Sequence, residues 1–200
     1  MSFWNWLEEN TDWIQAPGSD LDAHSDKIGV EFEKHFPELN WEIEITEEGP
    51  WFFIISADCD PEKFSDVIAA YQSAPALEHW VLFPFRQPGS LETRVEIPGG
   101  TLGYDDVWCE VSLLPLAEPQ QIELTILIPD FDDENEDELA DAGYQLLDNA
   151  LGEFDVATFI AEVSFAALDA IPLQTEHRFP LGDLPEYIER LQESELASEE

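Results

Sequence analysis

The feature that most constrains this chain is its imbalance of charge. Among 200 residues, 46 are Asp or Glu and only 7 are Lys or Arg, which gives a net charge of −39 at pH 7. Because an unpaired buried carboxylate is costly, most of the acidic side chains must be solvated, and the core must form from the apolar stripes between them. The few bases should hold charge-assisted hydrogen bonds, so Arg86 and Arg94 are expected in structural ion pairs.

The apolar content is high enough to build a core. Apolar residues make up 44% of the chain and aromatic residues 12%, whereas disordered acidic proteins lack the apolar surface that offsets chain entropy. The chain is therefore predicted to fold. We expect one domain over residues 1–194, with a helical N-terminal portion at about 1–37, and an acidic tail at 195–200.

Hydrophobic periodicity predicts both helices and strands. Helices are expected at about 2–14, 20–36, 61–73, 136–151 and 183–191, and strands at about 41–47, 51–56, 79–85, 93–97, 107–114, 121–128 and 158–168. Residues 172–180 are expected to form a loop. Since turns join most of the strands, the predicted fold is α+β, with a largely antiparallel sheet and helices packed mainly on one face.

Several helix ends carry local signals. Ser2 is a suitable N-cap for the first helix, and Ser19 or Asp20 for the second. Asp60 followed by Pro61 is typical of the start of a helix, and Gly152 is expected to end the helix that begins at 136.

The sign of the charge excludes some partners and favours others. An acidic surface repels nucleic acid, nucleotides and anionic lipid, and it attracts cations and basic proteins at rates that fall as salt rises. No apolar run approaches the roughly 18 residues that span a membrane, and the N-terminus lacks the features of a signal peptide. Two cysteines do not form a disulfide framework. We therefore expect a cytoplasmic protein without nucleic-acid or membrane partners, and the sequence sets no oligomeric state.

The most conspicuous segment is an acidic run before the helix at 136. One interpretation is a calcium loop, but Asn135 stands where such a loop needs glycine. A second is structural, since carboxylates are stabilised at a helix N-terminus. A third is a patch that docks a basic protein, and its candidate binding residues are Asp130, Asp132, Asp133, Glu134, Glu136, Asp137 and Glu138.

Trp6 is a further candidate for binding. It lies off the apolar face of the first predicted helix, where it could anchor a partner, because Trp is favoured at interface hot spots. The alternative is a helix packed on two sides, since most Trp residues belong to the core.

No motif predicts an enzyme. The four histidines lack zinc-ligand spacing, and neither GxSxG, a P-loop nor GxGxxG occurs. Cys59 lies just before a predicted helix N-terminus, which favours a thiolate, but Asp58 and Asp60 beside it disfavour that charge. Cys109 is expected to be ordinary core packing. We therefore predict no catalytic residue, no metal ligand and no cofactor.

One stretch of the chain, residues 53–88, resembles a family of bacterial proteins for which no activity is known. In that family an ISADG strand end leads to a helix and then to AP.L..W and FR. The matching residues here are Ser56, Ala57, Asp58, Ala74, Pro75, Leu77, Trp80, Phe85 and Arg86. Cys59 replaces the usual glycine, and residues 146–158 are also similar. The resemblance implies an intracellular bacterial α+β protein and brings no activity with it.

Three functions remain open on the sequence. The first, which we favour, is an acidic interaction protein that binds and neutralises or regulates a basic protein, in the manner of an immunity protein or a nucleic-acid mimic. The second is a salt-adapted protein whose acidity has no specific partner. The third is a carboxylate enzyme that depends on a divalent metal.

Overall fold

The chain forms two compact units, Met1–Arg86 and Gln87–Glu200, here called the N-unit and the C-unit. They are seen in a computed structural model that describes residues 1–16, 21–46, 49–114, 119–169 and 177–198. The single domain expected over residues 1–194 stays a prediction. The N-unit has 18 acidic and four basic residues, and the C-unit has 28 acidic and three basic residues, so the charge imbalance is greater in the second unit.

The N-unit packs short helices on a three-stranded sheet. Its elements are α1 (Phe3–Glu9), α2 (Thr11–Ile14), α3 (Leu21–Glu33), β1 (Asn40–Glu44), β2 (Trp51–Ser56), α4 (Phe64–Gln72) and β3 (Trp80–Pro84). The strand order is β1-β2-β3. The β1–β2 pair is antiparallel, whereas β2 and β3 are parallel because α4 crosses between them.

Two of the predicted helix starts in the N-unit are confirmed. The Ser2 side chain accepts a hydrogen bond from the Asn5 amide. The Asp60 side chain caps a 3-10 turn at Pro61–Lys63 that leads into α4. Ser19 and Asp20 lie outside the described residues.

The single helix predicted over 2–14 is wrong, because the chain breaks at Asn10. The Asn10 backbone leaves the helical region, with φ −103° and ψ 4°. Its side-chain amide donates to the Trp6 carbonyl at 2.8 Å. Asn side chains compete in this way with the backbone bonds of a helix, so α1 ends at Glu9 and α2 begins at Thr11.

The core of the N-unit is mainly aromatic. Phe3 contacts Phe32 and Trp4 edge to face, with ring centroids 5.1 Å apart in both pairs. The buried indoles also find acceptors: Trp80 Nε1 donates to the Thr11 hydroxyl at 2.7 Å. Buried Trp is stable in a core when its N–H is paired in this way.

The C-unit contains a hairpin and a four-stranded sheet. Its elements are β4 (Arg94–Ile97), β5 (Gly100–Gly103), β6 (Trp108–Leu114), β7 (Gln121–Ile128), α5 (Glu136–Phe159), β8 (Ile160–Ala167), β9 (Arg178–Pro180) and α6 (Leu184–Ser198). β4 pairs with β5, and the larger sheet has the order β8-β7-β6-β9.

The core of the C-unit follows from the alternation in β7. Ile122, Leu124, Ile126 and Ile128 are buried with Leu139, Leu146 and Leu147 of α5 in one hydrophobic cluster. The intervening Glu123 is exposed. Side chains alternate across a strand, so this pattern places α5 on one face of the sheet.

Two predictions for the C-unit are wrong in detail, and one helical segment was not predicted. Part of the loop expected at 172–180 is the strand β9, and residues 170–176 lie outside the described residues. The helix that begins at 136 leaves the helical region at Gly152, where φ is 74° and ψ 163°, as expected, and the helical segment that follows it to Phe159 was not predicted. The helix expected to end at 191 runs to Ser198, into the segment predicted as a tail.

The predicted α+β class is confirmed. Among the described strands, four pairs are antiparallel and two, β2–β3 and β7–β8, are parallel, so the pairing is largely antiparallel, as predicted. Within the described ranges, no helix combines the length and the apolar character needed to cross a membrane.

Candidate functional sites

The acidic run forms a turn that is stabilised by hydrogen bonds among its own residues. The Asn135 side chain donates to the Asp130 carbonyl at 2.8 Å and accepts from the Asp132 amide at 2.9 Å. Asp132 Oδ1 accepts from the Glu134 amide, also at 2.9 Å. Asn135, the residue that departs from a calcium loop, therefore bridges both ends of this turn.

The seven carboxylates predicted as binding residues all face solvent. Asp130, Asp132, Asp133, Glu134, Glu136, Asp137 and Glu138 are all exposed. Within the described part of the chain, none of them forms an ion pair with Lys, Arg or His. Three of them lie in the first turn of α5, where the helix dipole favours negative charge. The run therefore stabilises a helix and also presents uncompensated charge.

A cleft lies beside this run, between the tip of the β4–β5 hairpin and the start of α5. Its volume is about 520 Å³. The carboxylates that line it are Asp106, Asp130, Glu134 and Glu138, and the apolar side chains are Ile97, Pro98, Leu102, Pro129 and Leu139. Asp106 is paired with Arg94, whose Nη2 lies 2.5 Å from Asp106 Oδ2. The other three carboxylates carry the negative charge of the cleft.

The sequence did not indicate that the β4–β5 hairpin forms one side of this cleft. Ile97 and Asp106 are more than 20 residues from Asp130, and no spacing rule brings a hairpin tip to a helix start. The only available signal was the Gly99-Gly100 pair, which indicates a tight turn. A Cβ atom at Gly99 or Gly100 would lie more than 4 Å from every atom that it could meet among the described residues, so the tip has open space beside it.

Trp6, the remaining predicted binding residue, belongs to the N-unit. Its ring stacks on Phe3 with centroids 6.0 Å apart and planes at 27°. It packs against the N-unit core and remains partly accessible. Its role as a partner anchor stays a prediction.

Two of the residues that carry the family resemblance, Ser56 and Asp58, lie next to a third, Arg86. Arg86 Nη1 donates to Ser56 Oγ at 3.1 Å and to Glu42 Oε1 at 3.2 Å, and it lies 3.7 Å from Asp58 Oδ1. Ser56 ends β2 and Arg86 follows β3, and these strands are parallel, so their carboxyl ends meet. The ion pairs expected for Arg86 and Arg94 are confirmed.

The backbone around Arg86 is strained. Asp58, Cys59 and Phe85 have φ values of 56°, 58° and 68°. The left-handed region costs a non-glycine residue about 1–2 kcal/mol, so glycine would adopt the backbone conformation of Cys59 at a lower cost. Arg86 Nη2 lies 3.7 Å from the Cys59 sulfur. Arg86 thus links the carboxyl ends of β2 and β3. Its guanidinium group is paired with carboxylates of the same unit.

Cys109 is core packing, as predicted. It has no exposed surface, and its thiol donates to the Phe179 carbonyl at 3.4 Å. Burial raises the pKa of this thiol well above its ordinary value, and the charge of Asp183 adds to that effect.

A second polar cluster lies in the N-unit, and no sequence motif indicated it. His79 Nδ1 lies 2.8 Å from Glu8 Oε1, which also accepts from the Glu78 amide at 3.2 Å. The hydrogen bond to Glu8 raises the pKa of His79, and the charges of Glu8, Glu78 and Asp12 act in the same direction. Glu8 and His79 are 71 residues apart in sequence, which is why local spacing could not reveal the pair.

Comparisons of this chain with protein-family models, with curated proteins and with solved structures find no match. The resemblance carried by residues 53–88 therefore stays a prediction.

Proposed function

We propose that this chain is an acidic cytoplasmic interaction protein that binds, and so neutralises or regulates, a basic protein. One observation carries the proposal: the C-unit cleft combines an apolar lining with three carboxylates that have no ion-pair partner among the described residues. We name the binding surface the acidic face, and it consists of this cleft and the exposed carboxylates at 130–138.

The cleft has the chemistry that a Lys or Arg side chain requires. Such side chains bury an apolar stem and keep a charged head group at a polar rim. Ile97, Leu102 and Leu139 supply the apolar lining, and Glu134 and Glu138 supply acceptors for the head group. A cavity of about 520 Å³ is also in the range of small binding sites in proteins, roughly 300–1,000 Å³.

The carboxylates outside the cleft contribute in a different way. Charges at the rim of an interface mainly raise the association rate, and they lose this effect as salt screens them. Asp132, Asp133, Glu136 and Asp137 are exposed and do not line the cleft. We therefore expect them to govern the salt dependence of binding, and the cleft to govern the dissociation rate.

The test begins with capture of partners from the native host on immobilised full-length chain, washed at low and then high salt. A candidate partner is a basic protein that is retained near one-to-one and released by high salt. The dissociation constant is then measured against salt concentration with the purified candidate. The face variant combines Asp132→Asn, Asp133→Asn, Glu136→Gln and Asp137→Asn.

A matched variant in the N-unit separates the acidic face from total charge. Asp26→Asn, Glu33→Gln, Glu44→Gln and Asp66→Asn change the net charge by the same amount at exposed positions. We expect weaker binding and a flatter salt dependence for the face variant, and nearly unchanged values for the control. Equal effects of the two variants would refute the acidic face. A chain that folds only in molar salt would instead support salt adaptation.

A further inference from the structure

The polar cluster on the N-unit joins two distant parts of the chain. Glu8 belongs to α1, whereas Glu78 and His79 immediately precede β3. One ligand atom from each of the three side chains can be chosen so that all three lie within 4.8 Å of one another. An imidazole nitrogen and two carboxylate oxygens are a donor set that zinc accepts.

The Glu8 carboxylate gives an independent reason to expect a ligand here. Its Oε1 atom is engaged by His79 and by the Glu78 amide. Its Oε2 atom is sheltered from solvent and meets no hydrogen-bond donor among the described residues. A sheltered carboxylate oxygen is costly unless a donor or a cation meets it.

We propose that Glu8, Glu78 and His79 bind one divalent transition-metal ion, of which Zn²⁺ fits best. The imidazole ligand disfavours Mg²⁺ and Ca²⁺, which prefer oxygen donors. Zn²⁺ imposes little geometric preference and bonds nitrogen and oxygen at about 2.0–2.2 Å. In a tetrahedral site two ligand atoms lie about 3.3–3.6 Å apart, so movements of up to roughly 1.5 Å by these side chains, of which Glu78 is exposed, complete the set.

The remaining coordination position faces solvent. Nearly half of the His79 side chain and about a quarter of the Glu8 side chain are exposed (47% and 28%). Three protein ligands with an open fourth position bind a water molecule or a ligand atom of another molecule. The ion would also tie α1 to the segment that enters β3, so metal should raise the stability of the N-unit. This proposal concerns the N-unit and is independent of the acidic face of the C-unit.

The experiment uses the metal-free full chain in 0.15 M salt with millimolar Mg²⁺, which occupies the diffuse counterion layer. Zn²⁺ is titrated against a competing chromophoric chelator, and Co²⁺ spectra are recorded in parallel. We expect one tight equivalent and a Co²⁺ spectrum without the intense near-ultraviolet band of thiolate ligands. A thiolate band would place the metal on a cysteine and overturn the site.

Two variants test the ligands, and a third is the matched control. Glu8→Gln and His79→Gln should each weaken Zn²⁺ affinity at least tenfold. His35→Gln removes a similar pair, in which His35 Nε2 lies 3.6 Å from Glu31 Oε1, and it should leave the affinity unchanged. If a variant fails to fold, the NMR resonances of the imidazole groups in the wild-type chain test the site instead. Zn²⁺ should shift the resonances of His79 and leave those of His35 unchanged. The absence of one tight equivalent, or equal shifts at both histidines, would overturn the proposal.

Discussion

Tyr104 should contribute measurably to the stability of the C-unit through its hydroxyl group. The side chain follows β5 and is only 5% exposed. Its hydroxyl donates to the Leu146 carbonyl at 2.9 Å and accepts from Asn149 Nδ2 at 2.7 Å. Both partners lie in α5, so this hydroxyl links the β4–β5 hairpin to the helix. Tyr104→Phe removes the link and keeps the ring.

The expected cost follows from the two bonds that are lost. A typical hydrogen bond contributes about 0.5–1.5 kcal/mol net, so two give about 1–3 kcal/mol. The lower part of that range applies, because Asn149 Nδ2 also donates to the Ser90 carbonyl at 2.9 Å and is not left without an acceptor. We therefore expect Tyr104→Phe to lower the free energy of unfolding of the C-unit by about 1–2 kcal/mol.

The assay must report the C-unit by itself. Six of the seven tryptophans lie in the N-unit, so total tryptophan fluorescence mainly follows that unit. Hydrogen exchange of α5 peptides at increasing urea measures the opening of the C-unit directly. Tyr71→Phe is the control, since the Tyr71 ring is 39% exposed, and it should change stability by less than about 0.5 kcal/mol. Equal exchange protection of α5 in both variants would show that the Tyr104 hydroxyl does not hold the hairpin.

Two further predictions concern ionisable groups. In the folded chain a maleimide should modify Cys59, which is partly accessible, and not the buried Cys109. Mass spectrometry of the labelled peptides measures this difference, and equal labelling of both cysteines would contradict the described core. Burial, together with the charge of Glu189, raises the pKa of Asp155 in the folded chain. The ionised Asp155 side chain therefore lowers the free energy of unfolding at neutral pH. This penalty disappears as the pH falls through the raised pKa of the folded chain towards the pKa of the unfolded chain. Asp155→Asn should therefore raise stability at pH 7 and give no gain near pH 3, as measured by urea denaturation at both pH values.

The sequence predicted best those elements whose own pattern is long and regular. β7 was predicted with its observed bounds, because eight residues alternate between apolar and polar side chains. β5 and β9 were missed, because β5 begins and ends with glycine and β9 has only three residues, so neither carries an alternating pattern. Their pairing comes from partners elsewhere in the chain. The helical segment after Gly152 was not predicted either, because burial of Phe159 favours further helix beyond the residue that ends the preceding one.

The candidate sites were predictable only where one continuous segment supplies them. The run at 130–138 is visible in the sequence as a block of carboxylates. Its neighbours Ile97 and Asp106 were not, because the hairpin reaches α5 only through tertiary packing. Glu8 and His79 meet across 71 residues for the same reason. The chain has 46 acidic residues, and the sequence around a functional carboxylate does not distinguish it from a carboxylate that is only solvated at the surface.

The short strand β9 has a consequence for the order in which the C-unit assembles. β7, α5 and β8 follow one another closely along the chain, so their contacts can form early. β9 instead brings Phe179 to Cys109 across 70 residues, and closing so long a loop costs entropy before any contact offsets it. We expect the β6–β9 pair to form last during refolding. Cys109 should then react with a pulsed thiol label after the amides of β7 are already protected, and simultaneous protection of both would contradict this order.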